Sequence, residues 1–114
     1  VWPTERGSAA SIAHELSAAE ELGDAPAPLV LDIRNPKEWA AKHIYGSMNI
    51  PLNHLQQRLR EIPRNHRIAV HCAGGYRSSI AASILHQHGI TNLVEMAGGL
   101  AAWEGAKLPV VSQA

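Results

Sequence analysis

Apolar positions along the chain fall into two rhythms. Leu29-Val30-Leu31-Asp32-Ile33, Arg67-Ile68-Ala69-Val70-His71 and Leu93-Val94-Glu95-Met96 are short and nearly continuous, as strands buried on both faces of a parallel sheet are. A weaker strand is expected around Ser47-Met48-Asn49-Ile50. Between these runs the apolar residues return at helical spacing. Ile12, Leu16 and Ala19 do so in an Ala-rich stretch from Ser8 to Leu22, and Ile80, Ile84 and Leu85 are expected to face inward from a helix over Ser78 to His88. Gly23 and Gly89 are the expected terminators of those two helices, and Asp24-Ala25-Pro26-Ala27-Pro28 reads as a linker.

Punctuation residues add the remaining elements. Asn35-Pro36 places a capping amide before a proline at the first helical position, so a helix is expected through Glu38, Trp39 and Lys42. Asn53-x-x-Gln56 resembles a capping box for a helix with Leu55, Leu59 and Ile62 on one side, stopped by Pro63. Gly98-Gly99 opens a short helix through Trp103. Residues 1–7 are expected to be loose, and 108–114 to form a surface tail. Strands alternating with helices predict an α/β architecture in which helices flank a mostly parallel sheet in three layers.

At 114 residues the chain suits a single domain spanning 1–114. Ten basic and ten acidic side chains cancel, so no net field favours nucleic acid or an anionic membrane surface, and any anion must be held locally. No apolar run approaches the roughly 20 residues needed to span a bilayer. The first residues lack a signal-peptide pattern, which makes a cytoplasmic setting the default, and the missing initiator Met suggests excision from something longer. One cysteine excludes an internal disulfide, and the seven histidines show no metal-ligand spacing, so no metal is expected.

That cysteine lies in the most informative segment, His71-Cys72-Ala73-Gly74-Gly75-Tyr76-Arg77-Ser78-Ser79, directly after a strand and before a helix. Ligands of parallel sheets bind at the carboxyl ends of strands. Successive N–H groups in a glycine-containing loop, with the positive end of the following helix, stabilise a thiolate. Gly74 and Gly75 let the chain curl, and Arg77 offers a planar guanidinium suited to an oxyanion. Cys72 is the candidate nucleophile. Ala73, Gly74, Gly75, Tyr76, Arg77 and Ser78 are the candidate binding residues, with Ser78 the hydroxyl expected near the sulfur. Each has a plainer alternative: Cys72 as a small buried hydrophobe, the glycines as a turn, Arg77 as a solvated cap. Tyr76 either shapes the mouth or covers the helix start. His71 alternates with Cys72 across the sheet and is a poor base for it.

The chain resembles the rhodanese family of sulfurtransferases over roughly residues 29–108. The resemblance rests on Asp32-Ile33-Arg34 with Glu38, on His43-Ile44-x-Gly46-Ser47-x-Asn49-Ile50-Pro51, on the Cys72 loop, and on Gly98-Gly99 with Trp103. The run from His71 to Ser78 is most similar to rhodanese domains fused behind metallo-β-lactamase-fold persulfide dioxygenases, which implies a fused or partner metallo-hydrolase domain. The family implies the rhodanese-like fold, a small-molecule sulfur donor such as thiosulfate or a persulfide, a thiol or cyanide acceptor, and no cofactor. It also places Asp32 and Arg34 near the loop, either orienting it or forming a structural ion pair; Glu38 and His43 are expected to cap or bridge elements. Related phosphatases set one residue more between Cys and Arg than the four here, Ala73 to Tyr76. Two alternatives remain: a phosphatase or arsenate reductase of the same fold, and a noncatalytic interaction module.

Overall fold

The computed structural model describes residues 4–22 and 27–113. The expected terminator Gly23, the Asp24–Pro26 part of the linker, residues 1–3 of the segment expected to be loose and the last residue of the tail lie outside them. Five strands, β1 (Glu5–Gly7), β2 (Leu29–Asp32), β3 (Met48–Asn49), β4 (Ile68–His71) and β5 (Leu93–Met96), form a sheet in the order β1-β5-β4-β2-β3. Among the described residues every strand pairing is parallel. The helices are α1 (Ala9–Leu22), α2 (Pro36–Ala41), α3 (Tyr76–Gln87) and α4 (Gly99–Gly105).

Alternation along the strands splits the apolar interior in two. Leu31, Ile68, Val70 and Leu93 pack with Ala81, Ala82 and Leu85 of α3 on one face. Val30, Ala69, Val94 and Met96 pack with Ile12 of α1 and Leu100 and Trp103 of α4 on the other. The two-residue period thus sends Cys72 toward α3, whereas His71 follows Ala69 toward the opposite face. This is the expected α/β arrangement of helices on a parallel sheet.

Helix α2 begins as the sequence predicts. Asn35 accepts from the Glu38 N–H at 2.8 Å, Glu38 accepts from the Asn35 N–H at 3.1 Å, and Pro36 occupies the first turn. At the other end of α3, Gly89 takes the left-handed conformation expected of a terminator.

Three expectations are corrected. Residues 5–7 are not loose: β1 pairs with β5 along Glu5↔Val94 to Gly7↔Met96, and Arg67 ties Glu5 and Glu15 to the same edge. Asn53-x-x-Gln56 forms no capping box. Two 3-10 turns, Leu52–His54 and Gln56–Glu61, replace the expected α-helix, with Pro51 at the first cap and no side chain closing either. Leu55, Leu59 and Ile62 are nevertheless buried, because tight turns of this kind can still present one apolar edge. Finally, Ile80 is 42% exposed; α3 turns Ser78, Ala81, Ala82 and Leu85 to the sheet, and the small alanines let the helix lie close. The tail bridges His43 through paired Val111 backbone bonds of 2.8 Å.

Candidate active site

The carboxyl ends of β2 and β4 bring the chemistry-bearing residues together. Cys72 follows β4, the chain turns through Ala73 and Gly74, and Gly75 caps α3 at φ 106°, a conformation that glycine adopts without a Cβ penalty. This turn points the Gly75 N–H back at Cys72 Sγ, 3.1 Å away. The first turn of α3 lies immediately beyond, so its positive end faces the sulfur. Cys72 is 1% exposed, so the sulfur lies beneath the loop rather than open at its mouth. Of the ring of donors expected from Ala73 to Ser78, the Gly75 N–H is the one bonded to sulfur.

Ser78 is hydrogen-bonded through its hydroxyl to groups other than the sulfur. Its hydroxyl is 3.1 Å from the Gly75 carbonyl and 3.0 Å from Glu95 Oε1, and Ser79 donates to the same carboxylate at 2.8 Å. Glu95 is almost wholly buried on the α3 face of β5, where it anchors the start of α3. In the sequence it is the charge inside the apolar run Leu93-Val94-Glu95-Met96.

Arg77 is engaged from the other side. Its guanidinium meets Glu38 of α2 through two bonds of 2.9 and 3.1 Å. That hydrogen-bonded partner holds the Glu38 carboxyl below the usual carboxylate range, against a smaller opposing effect of burial. Beside Arg77 opens a cleft of about 380 Å³, lined by Ile33, Pro51 and Leu52 with Asn35 and Asn53. Tyr76 is 81% exposed.

Asp32 and Arg34 form a buried ion pair. Arg34 grips the carboxylate through Nε at 3.0 and 3.1 Å and Nη2 at 2.7 Å, and a second Nη2 bond of 2.7 Å reaches the Lys42 carbonyl. His71 lies beside them, its Nε2 3.6 Å from Asp32 Oδ2 and without a hydrogen bond. Its Nδ1 lies 3.0 Å from the Cys72 carbonyl, which can only accept, so this nitrogen carries the proton. Burial pushes the imidazole below its ordinary titration range despite the attraction of Asp32, which leaves it neutral.

The family model for the rhodanese-like domain matches residues 14–106. The chain belongs to the rhodanese-like family. A sulfurtransferase of Allochromatium vinosum is 32% identical over 96 residues, 84% of this chain and 90% of its own length. The thiosulfate sulfurtransferase PspE of Escherichia coli is 38% identical over 72 residues, 61% of this chain and 68% of that protein. A rhodanese-related protein from Thermoplasma volcanium superposes with a TM-score of 0.81 at 33% identity, covering 94% and 97% of the two chains. Rhodanese-like domains also occur within longer relatives: the match spans only 23% of an adenylyltransferase and sulfurtransferase of Ogataea parapolymorpha. This rhodanese-like domain is therefore of the sulfurtransferase type. Among its described residues no helix is long and apolar enough to cross a membrane, and no three His, Cys, Asp or Glu side chains are grouped to hold a metal ion.

Proposed function

We propose that the domain moves a sulfane sulfur from thiosulfate or a low-molecular-weight persulfide to a thiol or cyanide acceptor through a Cys72 persulfide. The observation that carries this reading is the Gly75 N–H bonded to Cys72 Sγ at the base of a four-residue loop between β4 and α3. A hydrogen-bond donor and a helix N-terminus both favour negative charge on that sulfur, and a thiolate is the species that attacks.

In the first half-reaction Sγ forms a bond to the outer sulfur of thiosulfate while the S–S bond of the donor breaks. Sulfite leaves with the bonding electron pair, and Cys72 is left as a persulfide anion. Cyanide or a thiolate then attacks the terminal sulfur and returns Cys72 to its thiolate. Electrons and charge balance with no oxidant, and one cysteine suffices. The loop amides of Ala73, Gly74 and Gly75 stabilise the persulfide anion, and Arg77 stabilises the departing oxyanion. Because Cys72 is 1% exposed, the donor reaches Sγ only as the loop over it shifts.

The Glu38 pair bears on the choice of donor. With Arg77 held by a carboxylate, an anionic donor must exchange partners to use the guanidinium, whereas an organic persulfide can occupy the apolar side of the cleft along Ile33, Pro51 and Leu52. A cytoplasmic setting, where thiol acceptors are abundant, suits this cycle, and a fused or partner metallo-hydrolase domain would be a consumer of the sulfur.

Steady-state thiocyanate formation from thiosulfate and cyanide tests the reading, with para-nitrophenyl phosphate and arsenate as parallel substrates. Thiocyanate release that is abolished in Cys72→Ser is the expected result. Phosphate release or arsenate reduction without thiocyanate would replace it with the alternative chemistry, and inertness toward all donors would leave an interaction module.

A further inference from the structure

The loop's carbonyls point to an element outside the loop. Consecutive amides of the first turn of α4 donate to consecutive carbonyls behind the sulfur: Leu100 N–H to the Cys72 carbonyl at 2.8 Å, and Ala101 N–H to the Ala73 carbonyl at 3.0 Å. The His71 imidazole supplies a second donor to the Cys72 carbonyl. First-turn N–H groups have no partner within their own helix, so these two are spent on the loop.

The approach is possible only because of one residue. Gly99 sits at φ 57°, and a Cβ there would lie 2.3 Å from the Cys72 carbonyl oxygen and 2.9 Å from the carbonyl carbon and oxygen of Ala73. Gly98 has φ 75°, but a Cβ there would meet Ala102 of its own helix at 2.8 Å and not Cys72 or Ala73. The two glycines are therefore separable by mutation.

We infer that the first turn of α4 is a positioning device for sulfur transfer: by holding the Cys72 and Ala73 carbonyls, it aims the Ala73 and Gly74 N–H groups at the sulfur carried by Cys72. The step follows from peptide planarity. Across a trans peptide the carbonyl of one residue and the N–H of the next point in opposite directions, so two carbonyls held toward α4 turn the following two amides away from it. The Gly75 N–H already meets Sγ, and Ala73 and Gly74 complete a three-amide cradle for the outer sulfur. Gly99, Leu100 and Ala101 act through the loop and touch no reacting atom. The inference deepens the sulfur-transfer reading and rests on it.

Three variants test it, each compared well below its melting temperature. Ala101→Pro removes the N–H that holds the Ala73 carbonyl and sets a ring methylene against that oxygen, Gly99→Ala drives a methyl into the two carbonyls, and Gly98→Ala strains the same helix start without touching them. Two quantities are read: the single-turnover rate of sulfur loading, by intact mass, and the NMR shift and hydrogen exchange of the Gly74 amide in the reduced protein. Loss of one aiming contact is expected to slow loading by about tenfold or more in Ala101→Pro and Gly99→Ala, while Gly98→Ala stays within about twofold of the parent. The Gly74 amide should shift and exchange faster in the first two only. Equal loading in all three variants, or a Gly74 amide unmoved by Ala101→Pro, overturns the inference. A parent protein that takes up no sulfur overturns the functional reading instead, and the amide readout still decides whether α4 sets the loop.

Discussion

Two arginine–carboxylate pairs stand at the carboxyl end of the sheet, and they differ in almost everything but chemistry. Arg34 and Asp32 are two residues apart, with side chains 5% and 0% exposed, and a further Nη2 bond reaches the Lys42 carbonyl. Arg77 and Glu38 are 39 residues apart, join two helices, and leave about a third of each side chain in solvent, at 34% and 32%. The first pair is shut away from solvent. The second can trade its carboxylate for another anion, because water can take over the displaced partner at little cost. Burial, not residue type, separates the pair that holds the architecture from the pair that can take part in binding.

Breaking the buried pair should have the largest effect. Asp32→Ala strands a buried guanidinium and is expected to cost about 3–5 kcal/mol in urea unfolding, whereas Glu38→Gln, which keeps the α2 capping geometry, should cost no more than about 1 kcal/mol. Equal costs would erase the distinction. Next in size, Arg77→Ala should lower kcat/KM for thiosulfate by about ten- to a hundredfold, the worth of a charge-assisted hydrogen bond, with the unfolding midpoint little changed. An unchanged kcat/KM would remove Arg77 from the binding site. Smaller again, Glu38→Gln should raise kcat/KM for thiosulfate by about two- to fivefold by freeing the guanidinium, and leave a neutral organic persulfide unaffected. A fall with thiosulfate would mean that Glu38 orients Arg77 for the donor rather than competing with it.

The smallest expected effect is a slope with pH. Burial holds His71 below its ordinary range, so between its folded value and the unfolded value near 6.5 the unfolded chain binds the extra proton. Its stabilising contribution is complete above about pH 6.5 and is lost as pH falls toward the folded value. Subtracting the unfolding free energies of His71→Phe from those of the parent should give a difference that shrinks on acidification through that window. The Glu38 contribution runs lower, present above the unfolded carboxylate value near 4.3 and lost as pH falls through its depressed folded value. A flat His71 difference would show that the imidazole is not held neutral.

The same contrast between local and distant contacts explains what was legible in the chain. The buried runs of β2, β4 and β5, the Asn35-Pro36 helix start, the Gly89 stop and the Cys72 turn are written in neighbouring residues, and all stand where the pattern puts them. β1 was illegible because Glu5-Arg6-Gly7 has no apolar signature; its order comes from the β5 edge and from Arg67. The 3-10 turns after Pro51 answer to packing of Leu55, Leu59 and Ile62 more than to the apparent capping pair. Ile80 was misplaced because Ala81 and Ala82, weak in any hydrophobic pattern, are what the close-lying helix turns inward. At the site, the cysteine loop announced itself, but the Glu38 partner of Arg77, the Glu95 anchor of Ser78 and Ser79, and the α4 amides behind the loop are long-range contacts with no local sequence signal beyond a buried charge.

The most direct measurement is the intact mass of the reduced domain after brief exposure to thiosulfate or glutathione persulfide, with the modified residue located by peptide mapping. A gain of one sulfur atom on Cys72, reversed by cyanide and absent in Cys72→Ser, is the predicted result; a sulfur found elsewhere, or none taken up by a folded protein, would contradict the account.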